Sequence, residues 1–211
     1  MLKKKKGFKS KILVGYDHTV GKSANFLKRK LLKANLNEIK YIDVEIREHW
    51  QGIFNAHQQC SRQAYTEMFY VVDADADLNS NFDFSYKPDI YDLDKIHVWR
   101  CQNPVNNLVY GYGGVKLFPT APLKNATDWH IDFTTSVGGS KKFRPMPAVS
   151  NTTRFNTDPF NTWKSAFREC TKLSSKIIEA QKDDETDARL NIWCTEGESK
   201  PHGKYAIHGA K

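Results

Sequence analysis

Apolar residues in the first third of the chain fall into short blocks whose spacing switches between strand and helix periods. Ile12-Leu13-Val14, opened by Lys11 and closed by Gly15-Tyr16, predicts a short buried strand. From Ser23 to Ala34, Phe26, Leu27, Leu31 and Leu32 recur at helical spacing with cations between them. Ile39 to Ile46 alternates and predicts a second strand, and His49 to Tyr65 a second helix. Met68 to Val72 is apolar on both faces, as a central strand of a parallel or mixed sheet is. This β-α-β-α-β order predicts an α/β fold with a Rossmann-like, mostly parallel sheet flanked by helices. Such sheets bind ligands beyond the carboxyl ends of their strands, where Gly15-Tyr16-Asp17 and Asp73-Ala74-Asp75 both fall.

Later in the chain, Asp94 to Arg100, Leu108 to Phe118 (carrying Gly111, Gly113 and Gly114) and Trp129 to Val137 predict further strands. Asn161 to Ile178 predicts a long helix with Trp163, Phe167, Leu173 and Ile177 as its apolar stripe, and Asp187 to Cys194 a shorter one. No repeat or linker divides the 211 residues, so one domain is expected over 1–211, with 1–10 as a basic tail.

Charge adds to this picture. The formal net charge is +8, with Lys3, Lys4, Lys5, Lys6, Lys9 and Lys11 crowding the tail and Lys28, Arg29, Lys30 and Lys33 on the first helix. Such a balance attracts polyanions, nucleic acid and nucleotides among them, or simply keeps a tail solvated. Cys60, Cys101, Cys170 and Cys194 include no CxxC pair, which excludes a zinc ribbon and suggests no disulfide scaffold. Reduced thiols, the missing apolar h-region of a secretory signal and the absence of any apolar stretch of about 20 residues predict a soluble cytoplasmic protein with no membrane contact.

The chemistry concentrates at Asp73, Asp75 and Asp77, which alternate with alanines directly after Phe69-Tyr70-Val71-Val72. Carboxylates that close repel unless a cation lies among them. A hard divalent ion, Mg²⁺ or Mn²⁺, takes oxygen ligands and bridges carboxylates to substrate phosphates. A solvated acidic turn running into Asn79-Ser80-Asn81 is the other reading. An EF-hand is excluded, because Leu78 stands where that loop needs glycine and no Glu closes it.

Other constellations are weaker. Gly15 to Ser23 nearly spells a P-loop, but five residues separate Gly15 from Gly21, one more than the motif allows. Lys22 near a helix N-terminus still suits a phosphate. Asp92-Leu93-Asp94-Lys95 misses the acid-x-Lys spacing of a metal nuclease. Thr157 or Asp158 can cap a helix that has Pro159 in its first turn, and Asp158 is also the candidate carboxylate for acid–base chemistry, with Glu169 the second candidate. His130 and Asp132 share a strand face, and Lys141-Lys142-Phe143-Arg144 suits either base stacking or an exposed loop.

A hydrophobic strand ending in D-x-D resembles the metal and nucleotide-sugar motif of GT-A-fold glycosyltransferases. Ile12-Leu13-Val14-Gly15-Tyr16-Asp17 looks like their first strand, Ser61-Arg62 like the segment that supplies a nucleotide-contacting Arg, and Tyr112-Gly113-Gly114-Val115-Lys116-Leu117-Phe118 like the glycine-bearing strand beside the sugar. His202 to Lys211 is similar to the C-terminal segment that supplies a third metal ligand. The resemblance implies donor binding by Gly15, Asp17, Lys22, Arg62, Asp73, Gly113 and Gly114, and Mn²⁺ or Mg²⁺ held by Asp73, Asp75 and His208, with His202 the alternative third ligand. The whole also resembles small glycosyltransferases of tailed bacteriophages that modify DNA bases, which implies a nucleoside diphosphate sugar donor and a DNA acceptor. A nucleotidyltransferase of similar fold and a non-catalytic nucleic-acid-binding accessory protein are the rival expectations.

Overall fold

The computed structural model describes residues 10–16, 40–45, 53–73, 75–82, 84–111, 114–127, 142–176 and 182–211. Among them eight strands form one mixed sheet: β1 (Ser10–Tyr16), β2 (Lys40–Glu45), β3 (Met68–Asp73), β4 (Ala76–Leu78), β5 (Ile96–Gln102), β6 (Val109–Tyr110), β7 (Val115–Pro119) and β8 (Phe143–Thr153). Their order is β2-β1-β3-β7-β5-β8-β4, with β6 beside β5. The helices are α1 (Ile53–Gln63), α2 (Thr120–Lys124), α3 (Pro159–Ser174), α4 (Asp183–Thr195) and α5 (Gly203–Ala210).

The strands predicted in the first third form, and β1 pairs in parallel with both β2 and β3. The mostly parallel sheet does not. β7 runs back between β3 and β5, antiparallel to both, and so separates the β2-β1-β3 group from the parallel pair β5-β8. β4 and β6 add two further antiparallel edges. A helical crossover such as α1 keeps its flanking strands parallel, whereas no long helix intervenes between β5 and β7. The single strand expected over Leu108 to Phe118 is split for the same reason: β6 pairs only with β5, and β7 starts afresh beyond the glycines to pair with β3.

The central strands are buried on both faces. Phe69, Val71, Val98, Ile96 and Phe118 pack on one face against Phe54, Cys60 and Ala64 of the α1 region. Tyr70, Val72, Trp99 and Leu117 pack on the other against Phe82, Phe84 and Tyr86, in a cluster of edge-to-face and tilted rings at centroid distances of 5.0–5.7 Å. A third cluster joins α3, α4 and α5 through Ala166, Cys170, Leu173, Trp193 and Ala206 to Val105 after β5. Among the described residues no helix is long and apolar enough to cross a membrane. The predicted helix over Ser23 to Ala34 and the strand over Trp129 to Val137 lie outside the described residues.

Candidate metal and nucleotide site

The carboxyl ends of β1, β3, β5 and β8 share one sheet edge, and the start of β7 joins them. Gly15 is the cross-strand partner of Asp73. On the other side of β3, Val72 pairs with Val115, and the Asp73 amide donates to the Gly114 carbonyl at 2.9 Å. Beyond Asp73 the chain turns and enters β4, where Ala76 pairs with Thr153 and the Arg154 amide donates to the Asp75 carbonyl at 2.8 Å. The D-x-D turn is thus pinned by β7 on one side and by the end of β8 on the other.

Three charged groups meet there. Lys116 is on β7, and its Nζ lies 3.4 Å from Asp73 Oδ2, with only 10% of the lysine side chain exposed. Burial raises the Asp73 carboxyl above the ordinary carboxylate range, even though 39% of its side chain faces solvent; the charge and hydrogen bond of Lys116 oppose the rise. Asp75 is pushed up to about 6, first by burial and then by the negative charge of Asp73. A carboxylate whose affinity for protons is raised by a neighbouring carboxylate, as that of Asp75 is by Asp73, also sits in a field that favours a cation, and carboxylate oxygens are the donors a hard divalent ion takes. Asp73 and Asp75 therefore fit Mg²⁺ or Mn²⁺. Asp77 does not join them: it receives Arg154 Nη2 at 2.7 Å and so belongs to the support of the turn.

A buried polar group underlies this turn. Ser150 and Asn151, both essentially inaccessible to solvent, sit where β8 shifts register against β5 after Trp99 and Arg100. Ser150 Oγ donates to Asn151 Oδ1 at 2.8 Å, and Asn151 Nδ2 donates to Thr153 Oγ1 at 3.3 Å. The Asn151 amide group fills the space beside Gly114.

Other expected site residues lie elsewhere. His208 is an exposed residue in the last turn of α5, and among the described residues no group of three or more His, Cys, Asp and Glu comes together to hold a metal. The structure thus pairs Asp73 and Asp75 with Lys116 in place of His208. His202 is the left-handed residue that starts α5, a backbone role. Arg62 is exposed in the last turn of α1, at the end from which the chain enters β3, so the length of β3 separates it from Asp73. Asp158 is the cap of α3: its Oδ1 accepts the Asn161 amide at 2.9 Å and its Oδ2 accepts Asn161 Nδ2 at 2.6 Å. The Asn161 backbone bond leads in holding that carboxyl below its usual range, which suits a cap and disfavours a base. Glu169 accepts the Tyr110 hydroxyl at 2.8 Å, and that hydroxyl accepts Trp193 Nε1–H at 3.1 Å, so Glu169 ties α3 and α4 to the sheet. Phe143 and Arg144 open β8, where Arg144 pairs with Asp92 at 3.1 Å and neighbouring Lys142 with Asp94 at 3.4 Å, at the sheet edge opposite Asp73. Asp17, Lys22, Gly113, His130, Asp132 and Lys141 lie outside the described residues.

Sequence reading passed over Lys116, Ser150, Asn151 and Arg154. Only Lys116 left a mark, as a lone cation inside the apolar run Val115 to Phe118.

No protein-family model matches the chain, and no curated protein matches it. Among solved structures the chain is similar to a glycosyltransferase involved in the glycosylation of the major capsid of PBCV-1, at 15% identity and TM-score 0.43 over 66% of this chain and 82% of that one. It is also similar to the mannosyltransferase PcManGT from Pyrobaculum calidifontis in complex with GDP-Man and Mn²⁺, at 12% identity and TM-score 0.48 over 95% and 72%. The glycosyltransferase GlyE of Streptococcus pneumoniae aligns at 10% identity and TM-score 0.43 over 95% and 61%. With TM-scores below 0.5 these overlaps assign neither fold nor activity, and the site is read from its own geometry.

Proposed function

We propose that the protein is a glycosyltransferase of GT-A type that moves a sugar from a nucleoside diphosphate sugar to a hydroxyl, with Mn²⁺ or Mg²⁺ as cofactor. The observation that carries this reading is the pairing of Asp73 and Asp75, both with raised carboxyl pKa values, at the carboxyl end of a buried strand flanked by Gly15 and Gly114. Asp73 and Asp75 hold the divalent ion, which when bound supplies Lewis-acid neutralisation of the departing diphosphate. Gly15, with no side chain, lets the donor approach the strand end closely, and Gly114 fixes the Asp73 backbone through its carbonyl. Asp17 and Lys22 remain the residues expected at the base and phosphates. The general base is assigned to neither Asp158 nor Glu169, whose carboxylates are engaged in capping α3 and in the Tyr110 bond.

The favoured acceptor is a hydroxylated or hydroxymethylated pyrimidine in DNA, supported by the net charge of +8 and by the resemblance to phage base-modifying enzymes. The test is incubation with a panel of nucleotide sugars, Mn²⁺ and DNA carrying such bases, read by mass spectrometry. Transfer or donor hydrolysis is expected, falling in Asp75→Asn by at least the roughly 10–100-fold that loss of even an outer-shell partner costs a metal site. Release of pyrophosphate in place of a nucleoside diphosphate would assign a nucleotidyltransferase. DNA binding that weakens with salt and ignores both Mn²⁺ and Asp75→Asn, with no donor turned over, would assign an accessory protein.

A further inference from the structure

Lys116 is the charged group that the proposed chemistry leaves without a task. Its Cα lies on β7 between Val71 of β3 and Val98 of β5, in the most apolar part of the sheet. Its side chain shares a face with Phe118, Phe69 and Val71 and ends at Asp73 Oδ2. Placing an ammonium there costs desolvation, which a lysine at a solvated strand end would not incur. The compensation is the carboxylate of Asp73, and the result is a fixed positive charge beside the metal-binding pair.

We infer that Lys116 is a positioning residue that makes metal and diphosphate bind together: it weakens binding of a divalent ion to the unloaded Asp73–Asp75 pair and offsets the charge of the diphosphate once that arrives. This rests on the assignment of Asp73 and Asp75 as the metal's carboxylates. Two carboxylates and one ammonium leave a single negative charge, a poor match for a divalent ion. Charges about 4 Å apart at an effective dielectric near 20 interact by several times the thermal energy, so the ammonium lowers cation affinity substantially. A diphosphate adds negative charge and reverses that balance. The lysine also holds Asp73 through one carboxylate oxygen, Oδ2, and so leaves Oδ1 for the ion.

The test measures Mn²⁺ binding to the full chain by the electron paramagnetic resonance signal of free Mn²⁺, alone and with UDP or GDP. Lys116→Met keeps the aliphatic stem and removes the charge. It is expected to bind Mn²⁺ alone about tenfold more tightly than the parent, and to gain less Mn²⁺ affinity from the nucleotide. Lys116→Arg is expected to behave as the parent. A purely structural lysine predicts the opposite sign, because a loosened Asp73 binds metal less well. Unchanged or weaker Mn²⁺ binding in a folded Lys116→Met protein overturns the inference; if that protein does not fold, Lys116→Gln carries the same expectation and the same refutation. If parent and variant bind no more Mn²⁺ than an Asp73→Asn/Asp75→Asn control, the metal assignment itself fails and the inference falls with it.

Discussion

The side-chain amide of Asn151 occupies the volume that a Cβ on Gly114 would need. Gly114 accepts the amide of Asp73, and Asn151 is held by Ser150 and Thr153, so a clash here is transmitted directly to the D-x-D turn. Gly114→Ala should destabilise the protein by about 1–3 kcal/mol, the usual range for overpacking a filled interior. It should also weaken Mn²⁺ binding. In Gly114→Ala/Asn151→Ala the steric part is relieved, so the double variant should lose less stability than the sum of the single ones. Urea denaturation of the four proteins reads this directly, and strict additivity would mean that the two residues do not share that space.

Asp75 gives the site a pH signature in metal-free protein. Its native pKa of about 6 lies above the ordinary aspartate value of about 3.9. Between those values the native state binds more protons than the unfolded chain, so this group makes stability fall as pH rises from about 4 to about 6. Above that window the destabilisation is fully present. Asp75→Asn should therefore be more stable than the parent at pH 7.5, by about 1–2 kcal/mol once partial solvent exposure is discounted, and no more stable at pH 4. Mn²⁺ should narrow the gap by stabilising only the parent. Thermal melts with EDTA and with Mn²⁺ across this range check all three expectations.

The β1, β3 and D-x-D features were legible because their signals are local: an apolar run, a glycine and alternating acids within a few residues. The remaining architecture depends on distant pairings. β8 carries Pro145 and Pro147, residues that argue against a strand, yet Pro145 stands opposite Val98 in the ladder and Pro147 falls where the pairing with β5 shifts register. α5 was missed because it has only eight residues, too few for a convincing helical period. Lys116 is legible as a cation inside an apolar strand, but its partner sits 43 positions away and only the β3–β7 register brings them together. Asp158 reads more readily as a cap than as a base, and its bonds to Asn161 show the cap.

His97 supplies a second pH effect, of opposite sign, at the other end of the sheet. It is fully buried on β5, with Nδ1 3.2 Å from Tyr86 Oη and Nε2 3.0 Å from the Asp92 carbonyl; the charges of Arg144, Lys95 and Asp92 face it. Burial leads in lowering its pKa below the ordinary histidine value of about 6.5. The unfolded chain then takes up its proton first as pH falls, so this group costs stability below about pH 6.5 and nothing well above it. In His97→Gln the acid slope should flatten while stability at pH 8 changes through packing alone. Denaturant midpoints at pH 5 and pH 8 separate the two effects; an equal loss at both would assign no titration to His97.

Asp158 and Glu169 separate architecture from chemistry, because each can be changed to a neutral acceptor of the same shape. Asparagine caps helices as well as aspartate does, so Asp158→Asn should keep α3 intact, whereas Asp158→Ala should lower the melting temperature. Glu169→Gln keeps a carbonyl oxygen for the Tyr110 hydroxyl and should be nearly silent. Tyr110→Phe removes that hydroxyl and leaves the Trp193 indole N–H, deep in the α3–α4–α5 cluster, without its acceptor, at a cost of about 1–3 kcal/mol. Neither Asp158→Asn nor Glu169→Gln should change the rate of the proposed sugar transfer, since both carboxylates are engaged in hydrogen bonds. A large fall in turnover at unchanged stability in either variant would restore that residue as the general base.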